Sequence, residues 1–362
     1  MIDFFNHFTA LLNQNFIYLT LGLLMTNMVI IFIWDKKFIK EFFHIPYDGA
    51  QRVHMGEVSR LGGALIYLWF FLALIIQINN QTEEIFSHYI KFLIIIFPMI
   101  FMSIIEDTHN NVSVKLRFSV MVITMLILCS SWISSFPIVE HIPFLSYVTE
   151  NRYFSIIFYS ISLVALINGS NFIDGMNGLL GFFAAGAILS CIYIANEIGS
   201  QKDISVLILL LIALIVFFLF NFPFGKIFLG DTGAYFLGLF LGVWLIEFFS
   251  ANDNLSSWNA VLILFYPMIE VIYSFLRKVF QKKSPFYPDR FHLHLKIFRV
   301  LNNLFHRPTL ANSITTLVLS IFWLAPPLLI PFVMYSQVKI ILSISILTTI
   351  YLIFNYYTRY DN

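Results

Sequence analysis

The sequence predicts an all-α integral membrane protein of about eleven transmembrane helices, and three observations carry that prediction. Residues are 59% hydrophobic and only 11% charged, which leaves too little polar surface to cover a water-soluble globule of 362 residues. The mean hydropathy is +0.84. The apolar residues are gathered into runs close to the roughly 20 needed to cross roughly 30 Å of hydrocarbon.

Taken in order, the runs lie at about 16 to 34, 61 to 78, 89 to 105, 117 to 135, 153 to 168, 178 to 196, 204 to 222, 232 to 250, 258 to 276, 311 to 334 and 340 to 357. Backbone exposed to lipid must satisfy its hydrogen bonds within its own segment, so each run is expected to be a helix. The first has no small-residue cleavage site and reads as a retained helix. No soluble domain, coiled coil or clear repeat interrupts the pattern, so residues 1–362 read as one polytopic domain. Cys129 and Cys191 lie inside apolar runs without metal-ligand spacing and read as buried thiols.

Lys and Arg mark the cytoplasmic side of a membrane protein. One set of alternate loops holds seventeen of the 21 basic residues, including the eight between Arg277 and Arg307; the other holds Lys91, Arg152, Lys202 and Lys339. This asymmetry puts the N-terminus outside, the C-terminus in the cytoplasm, and a large basic loop, 277–310, on the cytoplasmic side. The polar clusters fall on that same side: "EDTHNN" (106 to 111), "NGSNFIDGMNG" (168 to 178), "FNFPFGKIFLGDTG" (220 to 233) and "SPFYPDRFHLHLK" (284 to 296). Acidic groups on a basic face need a reason, and four loops at one face imply a shared site.

The residue types suit a diphosphate bound through a divalent cation. Mg²⁺ prefers oxygen ligands and takes one or two carboxylates plus phosphate oxygens. Asp107, Asp174 and Asp231, with the amides of Asn168 and Asn171, supply that chemistry, while Lys115, Lys226 and Arg290 offer positive charge to phosphate. Each has a plainer reading. Asp107 alone is a solvated carboxylate or a helix cap, Asp231 alone an N-cap, and the Asn-rich turn ordinary turn chemistry. His292 and His294 alone are interfacial histidines. What favours a site is that all these clusters fall on one side.

The same segments, together with "SRLGG" (59 to 63), "SVKLR" (113 to 117) and "YPMIEVIYSFLRK" (266 to 278), resemble the polyprenyl-phosphate N-acetylhexosamine-1-phosphate transferases over nearly the whole chain. The resemblance implies transfer of a sugar-1-phosphate from a UDP-N-acetylhexosamine, UDP-N-acetylglucosamine by default, to undecaprenyl phosphate. It implies dependence on Mg²⁺, with Mn²⁺ as a substitute, a bacterial cytoplasmic membrane, cell-envelope polysaccharide initiation, and no nucleic-acid partner; a homodimer is open. By resemblance, Asp231 is the metal position with Asn171 as helper, and Asp174 lies near the nucleotide diphosphate. Gly175, Asn177 and Asn221 hold uridine, and Phe228 stacks on uracil. Lys115, Arg290, His292 and His294 surround the phosphates and sugar, Asn168 is a further substrate-binding candidate, and Glu106 and Asp107 prepare the lipid phosphate.

The chain departs from that pattern at Glu106, where the family has a second aspartate, at His109 and Asn110, at Leu295 after His294, and at Glu270, where many members have Asp. Glu270 lies inside the ninth run and reads either as a residue supporting the site or as a partner for a neighbouring helix. Two other classes fit the composition: a secondary transporter, whose polar residues belong near the bilayer midplane, and a degenerate scaffold that binds the lipid carrier without turnover.

Overall fold

In the computed structural model, residues 14–34, 58–77, 83–109, 112–283 and 291–358 are described. They form helices α1 (Gln14–Trp34), α2 (Gly62–Gln77), α3 (Glu83–His109), α4 (Val114–Ser131), α5 (Pro143–Glu150), α6 (Arg152–Ile173), α7 (Leu179–Glu197), α8 (Gln201–Asn221), α9 (Gly230–Ala251), α10 (Trp258–Ile263), α11 (Phe265–Phe280), α12 (Leu293–Phe305), α13 (Pro308–Val318), α14 (Ser320–Val333) and α15 (Gln337–Tyr357). Eight helical stretches are long and apolar enough to cross a membrane, the pair α13–α14 counting as one, and α1 and α2 are shorter apolar helices. The described residues therefore form the all-helical body of a multi-pass membrane protein.

The expected run at 258 to 276 is two helices instead of one, parted at Leu264. Pro267 explains the break: it has no N–H, and its ring crowds the carbonyl four residues earlier, that of Ile263. The expected basic loop at 277–310 is helical over part of its described length. It contains α12, whose first turns bury Leu293, His294, Leu295, Lys296 and Ile297.

At the centre is α9, most of whose residues are buried. Small residues let α6 approach it closely: Gly238 lies against Ser170 and Gly242 against Leu163 and Leu166. In hydrocarbon, such close backbone contact is a main source of helix association. Phe70, Phe92, Phe236 and Phe240, all fully buried, fill the space between α2, α3 and α9 with edge-on and tilted ring pairs.

Successive helices run up and down, so polar residues collect at the two ends. At one end the C-termini of α3, α6 and α8 meet the N-termini of α2, α4, α7 and α9, and there the polar clusters gather. At the other, His88 Nε2 meets both oxygens of Glu247 at 3.1 and 3.2 Å and the His88 ring stacks on Trp132. The two ends are some 18 residues apart along α3, about 27 Å at 1.5 Å per residue.

Candidate active site

The apolar run of α3 ends in Glu106 and Asp107, which are 8% and 4% exposed. A buried carboxylate needs donors, and Asp107 finds them at the start of α9. Its Oδ1 accepts from the Asp231 N–H at 2.8 Å, and its Oδ2 accepts from the Thr232 N–H at 2.9 Å and the Thr232 hydroxyl at 2.7 Å. The first N–H groups of a helix lack intrahelical partners and carry the positive end of its dipole. Leu229, which precedes α9, offers no side-chain cap, so Asp107 caps that helix from another element. Ser103, one turn back on α3, donates to the Thr232 hydroxyl at 3.1 Å. Gly230 makes this junction possible, because its φ is +70° and the position of a Cβ is filled by the Asp107 carboxylate.

Capping leaves the Asp231 side chain turned toward α4. Its Oδ2 accepts from Arg117 Nη1 at 2.6 Å, with the Tyr235 hydroxyl at 3.5 Å. The same Nη1 lies 3.4 Å from Glu106 Oε1, and Glu106 Oε2 accepts from the Val112 N–H at 3.0 Å. Arg117 therefore joins carboxylates from α3 and α9. Arg117 is one of the seventeen basic residues that set the topology, and its place in "SVKLR", two residues beyond Lys115, was the available signal for a role in the site. Lys115 itself is exposed, as is Lys226.

The third carboxylate comes from the turn after α6. The Asp174 N–H donates to the Asn171 carbonyl at 3.2 Å. Burial, reinforced by the negative charges of Asp107 and Asp231 and partly offset by Arg60, holds the Asp174 carboxyl well above the ordinary carboxylate range. Asn171 faces the Tyr235 hydroxyl, which places it beside Asp231. Asn168 points elsewhere: its Nδ2 donates to the Val164 carbonyl one turn back at 2.7 Å and contacts Met121 Sδ at 3.5 Å.

On the far side of Asp174, Gly175 leaves room for the His294 ring, which a Cβ there would overlap. His292 and His294 are nearly parallel, 7° apart with centroids at 5.8 Å. His292 Nδ1 lies 3.1 Å from Glu270 Oε2, and the Leu293 N–H donates to Glu270 Oε1 at 3.2 Å. Glu270 thus orients His292 and caps α12, as Asp107 caps α9. His292 Nε2 and His294 Nδ1 are buried without a hydrogen-bond partner among the described residues. Burial, then the positive charges of His292 and Arg299, push the His294 pKa well below the usual imidazole value.

Three residues expected at the nucleotide have protein partners. The Asn177 N–H donates to Asn312 Oδ1 at 2.7 Å, and its Nδ2 donates to the Pro223 carbonyl at 2.8 Å. Asn221 Oδ1 accepts from the Gly178 N–H at 2.6 Å, and its Nδ2 donates to the Ile227 carbonyl at 2.7 Å. These two amides tie the 168 to 178 turn to the 220 to 229 turn. The Phe228 backbone pairs with "SRLGG", through its N–H to the Ser59 carbonyl and its carbonyl to the Gly62 N–H. Arg290 and Asn110 lie outside the described residues.

Among the described residues, no three His, Cys, Asp or Glu side chains form a metal cage. The donor set is instead an open one. Asp231 Oδ1 and the Asp174 carboxylate take no hydrogen bond from the described residues, and Asn171 adds an amide oxygen. This fits a hard cation that completes its shell with water and phosphate oxygens, and the mutual repulsion that raises Asp174 is what such a cation would relieve.

Comparison with known proteins follows the same residues. Residues 89–249 match the family model described as Glycosyl transferase family 4, a span holding Glu106, Asp107, Arg117, Asp174 and Asp231. The undecaprenyl-phosphate alpha-N-acetylglucosaminyl 1-phosphate transferase of Thermotoga maritima is 24% identical over 257 residues, 71% of this chain and 74% of that protein. A probable undecaprenyl-phosphate N-acetylglucosaminyl 1-phosphate transferase of Bacillus subtilis is 21% identical over 292 residues, 79% of each chain. The decaprenyl-phosphate N-acetylglucosaminephosphotransferase of Mycolicibacterium smegmatis is 22% identical over 295 residues, 74% of this chain and 71% of that one.

Proposed function

We propose that this chain, whose residues 89–249 match the Glycosyl transferase family 4 model, transfers N-acetylhexosamine-1-phosphate from a UDP-sugar to undecaprenyl phosphate and releases UMP. The default sugar is N-acetylglucosamine, the sugar named for its relatives. The setting is the bacterial cytoplasmic membrane, with the site on the side that carries seventeen of the 21 basic residues, and the product would initiate a cell-envelope polysaccharide.

One observation carries this reading: Asp107, Asp174 and Asp231, from three separate helix ends, converge with Arg60 and Arg117 at one end of the bundle. Phosphoryl transfer depends mainly on positioning and charge neutralisation, and such an arrangement supplies both. An oxygen of the lipid phosphate attacks the sugar-proximal phosphorus in line; the new P–O bond forms as the bond to UMP breaks. A phosphate monoester is already largely anionic at pH 7, so the attack needs no general base. Asp107, with both oxygens engaged by α9, serves as the clamp that fixes Asp231. Mg²⁺, held by Asp231 with Asp174 and Asn171, would offset charge on the diphosphate. The unpartnered ring nitrogens of His292 and His294 are left to hydrogen-bond the phosphates or the sugar.

The test is purified protein with undecaprenyl phosphate and a panel of UDP-sugars, with and without Mg²⁺, following UMP. Release that requires the lipid, one UDP-N-acetylhexosamine and the cation supports the reading. Silence across the panel from folded protein rejects it.

A further inference from the structure

Arg117 is the cation at the heart of the carboxylate cluster, and its contacts are unusual for a residue whose task is only to balance charge. A single nitrogen, Nη1, reaches both Asp231 Oδ2 at 2.6 Å and Glu106 Oε1 at 3.4 Å, while Nε is buried without a hydrogen-bond partner among the described residues. A guanidinium carries five donors in a rigid plane, so this one retains donor capacity that the described residues do not satisfy. The carboxylate it holds most closely is the one whose other oxygen is open.

A divalent cation placed on Asp231 would approach the guanidinium at close range, in surroundings that screen charge poorly. The two cations therefore compete for one carboxylate. Glu106 gives Arg117 a second carboxylate to retain once it loses Asp231, and Val112 fixes that carboxylate in place. The buried Nε–H, however, is satisfied by neither. An incoming anion with several acceptor oxygens, such as a diphosphate, is what would draw the whole fork away.

We propose that Arg117 is the resident counter-cation of Asp231, excluding a divalent cation from that carboxylate until a nucleotide diphosphate draws the guanidinium off, so that cation and nucleotide bind cooperatively. The proposal rests on the assignment of Asp231 as the cation ligand in the transferase reading. It adds that the cation-free site is held shut by a side chain of the protein itself. Linkage makes the effect reciprocal: the factor by which the nucleotide raises cation affinity is the factor by which the cation raises nucleotide affinity.

The test measures cation binding without turnover. Mn²⁺ is titrated into purified protein in detergent, without lipid phosphate or nucleotide, and free Mn²⁺ is read by electron paramagnetic resonance. Arg117→Gln is expected to bind Mn²⁺ about ten-fold more tightly than the unmodified protein, with Arg117→Lys in between, and Asp231→Asn to remove the site in each background. Adding UDP should tighten Mn²⁺ binding in the unmodified protein more than in Arg117→Gln, after correction for Mn²⁺–UDP formed in solution. Equal or weaker Mn²⁺ binding by Arg117→Gln overturns the proposal; if that variant does not fold, the same comparison with Arg117→Lys decides. Mn²⁺ binding that survives Asp231→Asn unchanged also overturns it. The transferase reading stands or falls separately, on UMP release by the unmodified protein.

Discussion

Replacing Asp107 with Asn separates a clamp from a chemical participant. Asp107 Oδ2 takes two donors and Oδ1 takes one. An amide retains one acceptor oxygen and presents an NH₂ where the other stood, so one or two of these three bonds are lost whichever way it turns. A hydrogen bond to a charged group is worth about 1.5–3 kcal/mol net, and a side chain 4% exposed has no water to replace it. The expected cost is about 3 kcal/mol of stability, concentrated at the start of α9. Asp231 rides on that turn, and a displacement of about 1 Å at a positioning residue costs on the order of 100-fold in rate. Unfolding in detergent and UMP release, measured on the same preparation, should therefore fall together. A variant as stable as the unmodified protein but inactive would make Asp107 a participant in the chemistry. A variant unchanged in both would remove it from the site.

Three further outcomes follow from the same geometry. Gly230→Ala places a Cβ against the Asp107 carboxylate at a φ of +70°; the backbone alone costs about 1–2 kcal/mol, and UMP release should collapse while the rest of the bundle stays folded by circular dichroism. Asn221→Ala strands the Gly178 N–H and the Ile227 carbonyl, at about 1–3 kcal/mol each, so it should lower the unfolding temperature even without nucleotide; a raised KM for the UDP-sugar at unchanged stability would instead make Asn221 a uridine contact. His294 is depressed by burial, so between its folded value and about pH 6.5 the unfolded chain binds the extra proton. Its contribution is complete above about pH 6.5 and is lost as pH falls below it. His294→Gln should flatten the acid side of the stability profile by up to about 1.4 kcal/mol per pH unit, and an unchanged slope would mean that His294 takes up its proton as readily folded as unfolded.

The membrane architecture was legible because it depends on one-dimensional quantities: the length of apolar runs and the loops they separate. Each of the eleven runs contains helix among the described residues. The departures are local, as at Leu264, where Pro267 splits a run that hydropathy alone joins. The gathering of the polar clusters at one end was legible for the same reason, since alternate loops must return to one side. What the sequence could not show is which donor each carboxylate meets. Asp107 and the α9 turn are 124 residues apart, and Arg117 and Asp231 are 114 apart. "EDTHNN" read as a helix end with acid at it, and the plain alternative of a helix cap was sound; the helix capped is the central α9 instead of the next one along the chain. Glu270 is a second case, a carboxylate inside one helix that caps another and orients a histidine. The amides of Asn177 and Asn221 advertise binding capacity in the sequence, but three-dimensional contact engages much of it in joining two turns.

The most direct measurement of the central claim follows the fate of the sugar-proximal phosphorus. UDP-N-acetylglucosamine labelled with ³²P at that phosphorus is incubated with the purified protein, undecaprenyl phosphate and Mg²⁺, and lipid and nucleotide products are separated. Attack at that phosphorus moves the label into the lipid and releases unlabelled UMP, as proposed here. Labelled UDP with an unlabelled lipid glycoside would contradict it, because the bond broken would then lie between sugar and phosphate.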